Sequence, residues 1–234
     1  RVDSPEKDKL ETLRSLLLSI GSGSTIVFLN YRESVERASA YLSEQGFSVS
    51  AFHGGLDQRG RESALYRFAN GSACILVSTD LGSRGLDIPD VENIIHYHMP
   101  ETKEAYLHRI GRTARWDKNG RAFFILASGE KIPDYVAGDI PNYSLSPKGM
   151  PARPRMTTLY IGKGKKDKIS KGDLVGFLCK KGGLSKDDIG RIDVRDYYCY
   201  VAVSRSKAAE MLKKVRGEKI KGLRTLVEIA APEA

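Results

Sequence analysis

Apolar residues recur along the first half of the chain in two alternating rhythms. Leu10, Leu13, Leu17 and Ile20 fall at helical spacing, whereas Ile26-Val27-Phe28-Leu29 is a short solid run of the kind that makes a buried strand. Ser4-Pro5-Glu6 predicts the start of the first helix, a capping hydroxyl followed by proline at the first helical position, and Gly21 and Gly23 predict its end. Further helices are predicted over 32–45, 57–69 and near 102–112, and further strands around 47–52, 75–77, 94–95 and 123–126. Strand and helix alternating at this pace predict an α/β fold, a parallel sheet sandwiched by helices. Ligands of such sheets gather at the carboxyl ends of the strands.

The rhythm changes in the second half. Strands at 157–163, 189–194, 198–203 and 223–230 and helices at 171–181 and 205–216, the first opened by Ser170, give the order βαββαβ of a small ferredoxin-like α+β domain. Strand period puts Leu159, Ile161, Cys199, Val201 and Val203 inward and Tyr160, Tyr198 and Tyr200 outward. Between the halves stand Pro133, Pro141, Pro147, Pro151 and Pro154. Proline opposes both helix and sheet, so this stretch reads as a linker. The chain divides into a first domain over 1–137, a linker over 138–155 and a second domain over 156–234.

Charge follows the same division. Residues 1–152 hold 18 Lys+Arg against 19 Asp+Glu, and residues 153–234 hold 20 against 10. A compact basic domain is the footprint of a polyanion binder, with a solvated lysine surface as the plainer alternative. Its densest cluster is Lys163, Lys165, Lys166 and Lys168. No apolar run reaches the ~18 residues of a membrane span. Three cysteines lie far apart with no CxxC, which fits a reducing, cytoplasmic setting. His96 and His98 have no neighbouring Cys or third His, so they read as packed residues rather than metal ligands. The chain opens on Arg1, not Met, and so reads as a piece of something longer.

The first domain's unusual residues sit in its strand-end loops: His53-Gly54-Gly55, then Thr79 to Asp87, then His108 to Arg115. Arg109, Arg112 and Arg115 are spaced three apart and are expected to project toward one side, where planar guanidinium forks suit phosphate oxygens. Surface ion pairs are the alternative.

STDLGSRGLD (78–87) and HRIGRTAR (108–115) resemble motifs V and VI of the DEAD-box RNA helicases. IVFLN (26–30) is similar to their motif IV, and HGGLDQRGR (53–61) to their Gln-x-x-Arg segment, here Gln58 and Arg61. Ala114 departs from the family's usual glycine. The resemblance implies the second RecA-like domain of such an enzyme. No GxxxxGK[ST] loop and no Asp-Glu-Ala-Asp occur, so this piece alone is expected not to hydrolyse ATP. In the intact protein the resemblance implies that ATP, with Mg held by the absent N-terminal RecA-like domain, is shared across a cleft. Arg115 would be the arginine finger, Arg112 a second phosphate clamp and His108 part of the interdomain network. Gly85 and Asp87 would serve the nucleotide, Asp87 at the ribose. Gly54, Arg61 and Thr79 would meet the RNA backbone without reading bases.

The second domain resembles the RNA-binding domain of DbpA-type DEAD-box helicases, through KISKGDLVG, DIGRIDV, YVAV and KIKG. That class is an atypical RRM. The resemblance implies recognition of structured ribosomal RNA, with the domain tethering the core during large-subunit assembly. Tyr160, Tyr198 and Tyr200 are its expected stacking residues and the Lys163–Lys168 loop its expected phosphate contact. Val203 stands where an RRM has an aromatic. Two alternatives stay open: a stand-alone RNA-binding or scaffold module, and a helicase acting on non-ribosomal RNA.

Overall fold

The computed structural model describes residues 1–80, 88, 90–113 and 120–230. Contacts divide the chain into two units, residues 1–65 with 74–153 and residues 66–73 with 154–234.

The first unit's strands are β1 (Val2–Asp3), β2 (Thr25–Leu29), β3 (Val49–Phe52), β4 (Ile75–Thr79), β5 (Asn93–His96) and β6 (Arg121–Leu126). They form one sheet in the order β1-β6-β5-β2-β4-β3, with every pairing parallel. The connecting helices are α1 (Leu10–Ile20), α2 (Arg32–Glu44), α3 (Gln58–Ala69), whose residues from Tyr66 onward cluster with the second unit, and α4 (Lys103–Ile110). Because all strands run one way, Leu29, Phe52, Thr79, His96 and Leu126 end along the same edge. Strand alternation then sorts the side chains. Val27, Leu29, Val77, Ile95, Phe123 and Ile125 join Leu13, Leu16, Leu17, Val35 and Leu42 of α1 and α2 in one buried cluster. Their neighbours Phe28, His96 and Phe124 meet α4 instead: the Arg109 guanidinium lies 5.2 Å from the Phe28 ring, and Tyr106 stacks 6.3 Å from Phe124.

The start of α1 differs from the expectation at Ser4. The helix begins at Leu10, with Lys9 at its N-cap and no side-chain cap. Ser4 instead follows β1; its N–H donates to Leu126 O (2.7 Å), and its hydroxyl donates to Glu6 O (2.8 Å) and accepts from Thr12 Oγ1 (2.9 Å). A two-residue strand is too short to show a period, so the sheet pairing that holds Ser4 leaves no trace in the sequence pattern.

Residues 138–155 carry no helix or strand. Within them Tyr143 and Leu145 pack against the first unit's core. The Tyr143 ring meets Phe123 edge-on at 5.1 Å, and its N–H donates to Arg1 O (2.8 Å).

The second unit contains β7 (Met156–Ile161), α5 (Lys171–Lys180), β8 (Ile189–Val194), β9 (Cys199–Ser204), α6 (Arg205–Val215), β10 (Lys219–Ile220), β11 (Leu223–Arg224) and β12 (Val227–Ile229). Its four-stranded antiparallel sheet has the order β12-β7-β9-β8. Leu159, Ile161, Leu174, Leu178, Val201, Val203 and Met211 close one core between the sheet and both helices. Ser170 opens α5 reciprocally: its hydroxyl accepts from Asp173 N (3.2 Å) while its N–H donates to the Asp173 carboxylate (2.8 Å). The single strand expected at 223–230 is two. Lys221 and Gly222 both have positive φ, 53° and 76°, which turns Leu223–Arg224 back onto Lys219–Ile220 as a hairpin. Only Val227–Ile229 reaches β7.

Candidate nucleotide and nucleic-acid interfaces

The carboxyl edge of the first sheet is organised by one guanidinium. Arg109, in the last turn of α4, is fully buried. Its Nε and Nη2 donate to the two oxygens of Asp80 at 2.6 and 2.7 Å. Nη2 also donates to Asn30 Oδ1 (2.8 Å), and Nη1 to His98 O (2.7 Å) and His96 Nδ1 (3.2 Å). The five N–H donors of a guanidinium are thereby all in use. The expectation that Arg109, Arg112 and Arg115 face an anion together is therefore corrected at Arg109. Its charge is neutralised inside the protein by Asp80, and no donor remains for a phosphate.

His96 belongs to the same tie. It is fully buried and stacked on Phe124 with ring centroids 4.4 Å apart. Burial, reinforced by the adjacent Arg109 charge, pushes its imidazole down to about 3. A neutral ring is what the geometry requires, since Nδ1 must accept from Arg109. His98 is likewise pushed down, to about 4, by burial first and then by Lys9. Its Nδ1 accepts from Asn30 N at 3.0 Å. No group of metal-ligating side chains is found among the described residues.

Arg112 follows α4 by two residues and is half-buried. Its Nη2 lies 3.0 Å from His108 Nε2. A guanidinium only donates, so His108 accepts there and carries its proton on Nδ1. The Arg112 carbonyl accepts from Val91 N (2.9 Å), and its N–H donates to Arg109 O (3.2 Å). Arg112 and His108 are thus brought together on a short segment whose base is the Arg109 tie. Gly85, Asp87 and Arg115 lie outside the described residues.

Gly54, Arg61 and Thr79 all lie beyond or at the ends of neighbouring strands. Gly54 is exposed in the turn after β3, and Gly55 N donates to Nδ1 of buried His53 (3.0 Å). His53 in turn faces Glu36 across 3.1 Å. A Cβ placed on Gly54 would come 3.0 Å from Arg32 Nη2, so Arg32 stands directly beside this turn. Sequence reasoning missed it; nothing in the spacing links residue 32 to residue 54. Arg61 lies in the first turns of α3, half-buried, with Nη2 at 3.5 Å from Gln58 Oε1. Thr79 closes β4 with only 7% of its surface exposed.

In the second unit, Tyr160, Tyr198 and Tyr200 form one ring cluster on the sheet face opposite the core. Tyr160 and Tyr198 stack at 5.8 Å, and Tyr200 meets them at 5.9 and 5.6 Å. Tyr200 departs from the expectation of an exposed stacking ring: it is 2% exposed, enclosed by those two rings and by Tyr66 at 5.0 Å, a residue that clusters with this unit. The aromatic that does stand in solvent is Tyr197, 68% exposed, which strand alternation passed over because it sits in the β8–β9 turn. Lys163, Lys165, Lys166 and Lys168 share one turn after β7; the last three are exposed, and Lys163 Nζ lies 3.9 Å from Asp167.

Comparison with known proteins matches residues 8–117 to the helicase conserved C-terminal domain and residues 158–229 to the DbpA RNA binding domain. The chain is 37% identical to the ATP-dependent RNA helicase DbpA of Escherichia coli, over 94% of this chain and 50% of that protein. It is 30% identical to the Bacillus subtilis ATP-dependent RNA helicase DbpA, over 93% of this chain and 51% of that protein. It therefore spans about half the length of these curated relatives. Among solved structures, the E. coli DEAD-box protein SrmB aligns with a TM-score of 0.55 at 30% identity, covering 64% of this chain and 94% of that one. A DEAD box protein from Methanococcus jannaschii aligns at 0.51 and 35% identity, covering 54% of this chain and 35% of that one. The parallel sheet, the strand-end motifs and the basic α+β unit thus converge, and the chain belongs, domain by domain, to the DbpA-type DEAD-box helicases: a RecA-like helicase C-terminal domain followed by a DbpA RNA binding domain.

Proposed function

We propose that this chain works as the C-terminal half of an ATP-dependent RNA helicase, in the cytoplasm, on structured ribosomal RNA during large-subunit assembly. The observation that carries the catalytic part is the placement of Arg112 and His108. Both sit on a short segment locked to the carboxyl edge of the sheet by the buried Arg109–Asp80 pair. A guanidinium fixed at a domain edge and backed by a neutral histidine fits the phosphates of a nucleotide, whose developing charge such a group stabilises. ATP with its Mg would be held mainly by an N-terminal RecA-like partner domain, since these 234 residues contain no GxxxxGK[ST] loop. Arg115 is proposed as the arginine finger, with Gly85 and Asp87 at the nucleoside side.

The RNA-facing part of the core is proposed at Gly54 and Arg61, with Thr79 behind them. These groups contact backbone and leave base identity unread. The basic unit supplies the address: one tight contact makes the weaker, sequence-blind contact intramolecular and raises its effective concentration. The ribosomal assignment is supported by the match of residues 158–229 to the DbpA RNA binding domain. The test is crosslinking of the chain to total cellular RNA followed by sequencing. Enrichment of one ribosomal segment is the expected result, and an even spread over messenger and transfer RNA would overturn it.

A further inference from the structure

The turn after β7 is held in place by backbone contacts and by one side chain of its own, the Asp167 carboxylate, which accepts from Gly164 N (3.1 Å). Lys165 N donates to Arg195 O (2.8 Å) and Lys166 N to Asp196 O (2.9 Å), while Asp167 N and Ile169 N both donate to Gly164 O (3.0 and 3.2 Å). Gly164 makes this docking possible: a Cβ there would come within 2.2 Å of Arg195 O. The turn is thereby pinned to the tip of the β8–β9 hairpin, where Arg195 N donates to Tyr198 O and Asp196 and Tyr197 form the end. Tyr197 directly follows the two carbonyls that hold the lysine turn, and 68% of it is exposed.

Three ammonium groups leave this turn exposed, those of Lys165, Lys166 and Lys168, and none has an ion pair among the described residues. Lys168 has φ of 61°, a left-handed conformation that glycine adopts freely and lysine does not. Its carbonyl accepts from Lys221 Nζ (2.7 Å), and Lys221 Nζ lies 3.4 Å from Asp173, so the neighbouring hairpin braces the turn from the other side. Like charges held together without partners on a braced backbone repel one another unless an anion meets them. An aromatic ring beside them gives that anion a second feature, a flat apolar face.

We propose that Tyr197 and the Lys165–Lys166–Lys168 turn form one preformed RNA-binding site, in which the tyrosine stacks on an unpaired base and the lysines bind the flanking phosphates. This rests on the reading of the second unit as RNA-binding and specifies where it binds. The sheet-face tyrosines are poor competitors for the role: Tyr200 is covered, and Tyr160 and Tyr198 stack on each other. Tyrosine is a rigid platform that loses little entropy on stacking, and a braced loop has little left to order.

The test uses the full 234-residue chain and two fluorescein-labelled probes: an RNA hairpin with an unpaired loop, and a fully paired RNA duplex of the same length. Tyr197→Ala should raise Kd for the hairpin about ten-fold and leave duplex binding unchanged, because one stacked base is lost. Tyr197→Phe should restore hairpin binding. Lys168→Gly should weaken binding to both probes while the melting temperature holds or rises, the reverse of what a structural lysine would do. On a third probe, an unstructured single-stranded RNA, each lysine removed should lower the salt slope by about 0.7. In Tyr197→Trp the new indole emission should quench on adding the hairpin. Unchanged hairpin affinity in Tyr197→Ala together with an unquenched indole would overturn this site while leaving RNA binding by the unit intact. Failure of the unaltered chain to bind either probe would instead remove the underlying reading.

Discussion

Arg109 and Asp80 meet through two parallel hydrogen bonds, of 2.6 and 2.7 Å, with the guanidinium wholly removed from solvent. The pair joins the last turn of α4 to the end of β4 and draws in Asn30, the residue after β2, and His96 from β5. Removing one partner leaves the other charged and buried, which costs far more than the pair contributes over apolar residues. Arg109→Ala and Asp80→Asn should each destabilise the first unit by about 3–5 kcal/mol in urea denaturation. Arg109→Lys should rescue little, since an ammonium cannot reproduce the fork. The double variant should be less destabilised than the sum of the singles; strict additivity would show that the two residues are not coupled.

With Arg109 tied to Asp80, Arg112 is the described arginine of this segment proposed to meet the nucleotide. In the complete protein, Arg112→Ala should lower kcat of RNA-stimulated ATP hydrolysis by about 10²–10³-fold. RNA affinity of the present chain without nucleotide should not change. A variant that keeps its turnover, or that loses RNA binding equally, would contradict the assignment.

His96 sets a pH dependence. Its imidazole is held near 3 in the folded protein against an ordinary value of 6.5. As pH falls through 6.5 the unfolded chain takes up a proton that the folded chain refuses. The stability tied to this group is therefore complete above that pH and declines by up to ~1.4 kcal/mol per pH unit toward pH ~3. His98, held near 4, acts with the same sign. Thermal melts between neutral pH and about pH 5 should fall more steeply for the unaltered chain than for His96→Asn. Parallel curves would show that His96 does not titrate in this way.

Gly164 should not tolerate a side chain. In Gly164→Ala the new methyl would face the Arg195 carbonyl at 2.2 Å, and both neighbours are backbone. The lysine turn must then lift from the β8–β9 hairpin, at a cost of about 1–3 kcal/mol. Amide exchange should accelerate at Lys165 and Lys166, whose N–H groups lose their acceptors, and stay protected in α5. Unchanged protection at both lysines would count against the pinned turn.

The sequence by itself determined the two fold classes. Solid apolar runs alternating with helical spacing can only be satisfied by a sheet covered on both faces, and the βαββαβ order with inward Leu159, Ile161, Val201 and Val203 closes a second small core. That His108 and Arg112 come together was legible because they lie within one short stretch of chain. What the sequence could not show were relations between distant residues. Arg109, Arg112 and Arg115 look equivalent at spacing three, yet only the folded chain brings Asp80 and Asn30 against Arg109 and takes it out of reach of any anion. Alternation correctly turned Tyr200 away from the core, but whether a ring on that face is open depends on what closes over it, here Tyr66, Tyr160 and Tyr198. Tyr197 escaped for the converse reason: a turn has no period, and its exposure follows from the hairpin tip rather than from any pattern along the strand. Local periodicity fixes which side of an element a residue occupies; burial and charge pairing are decided by what the rest of the chain places beside it.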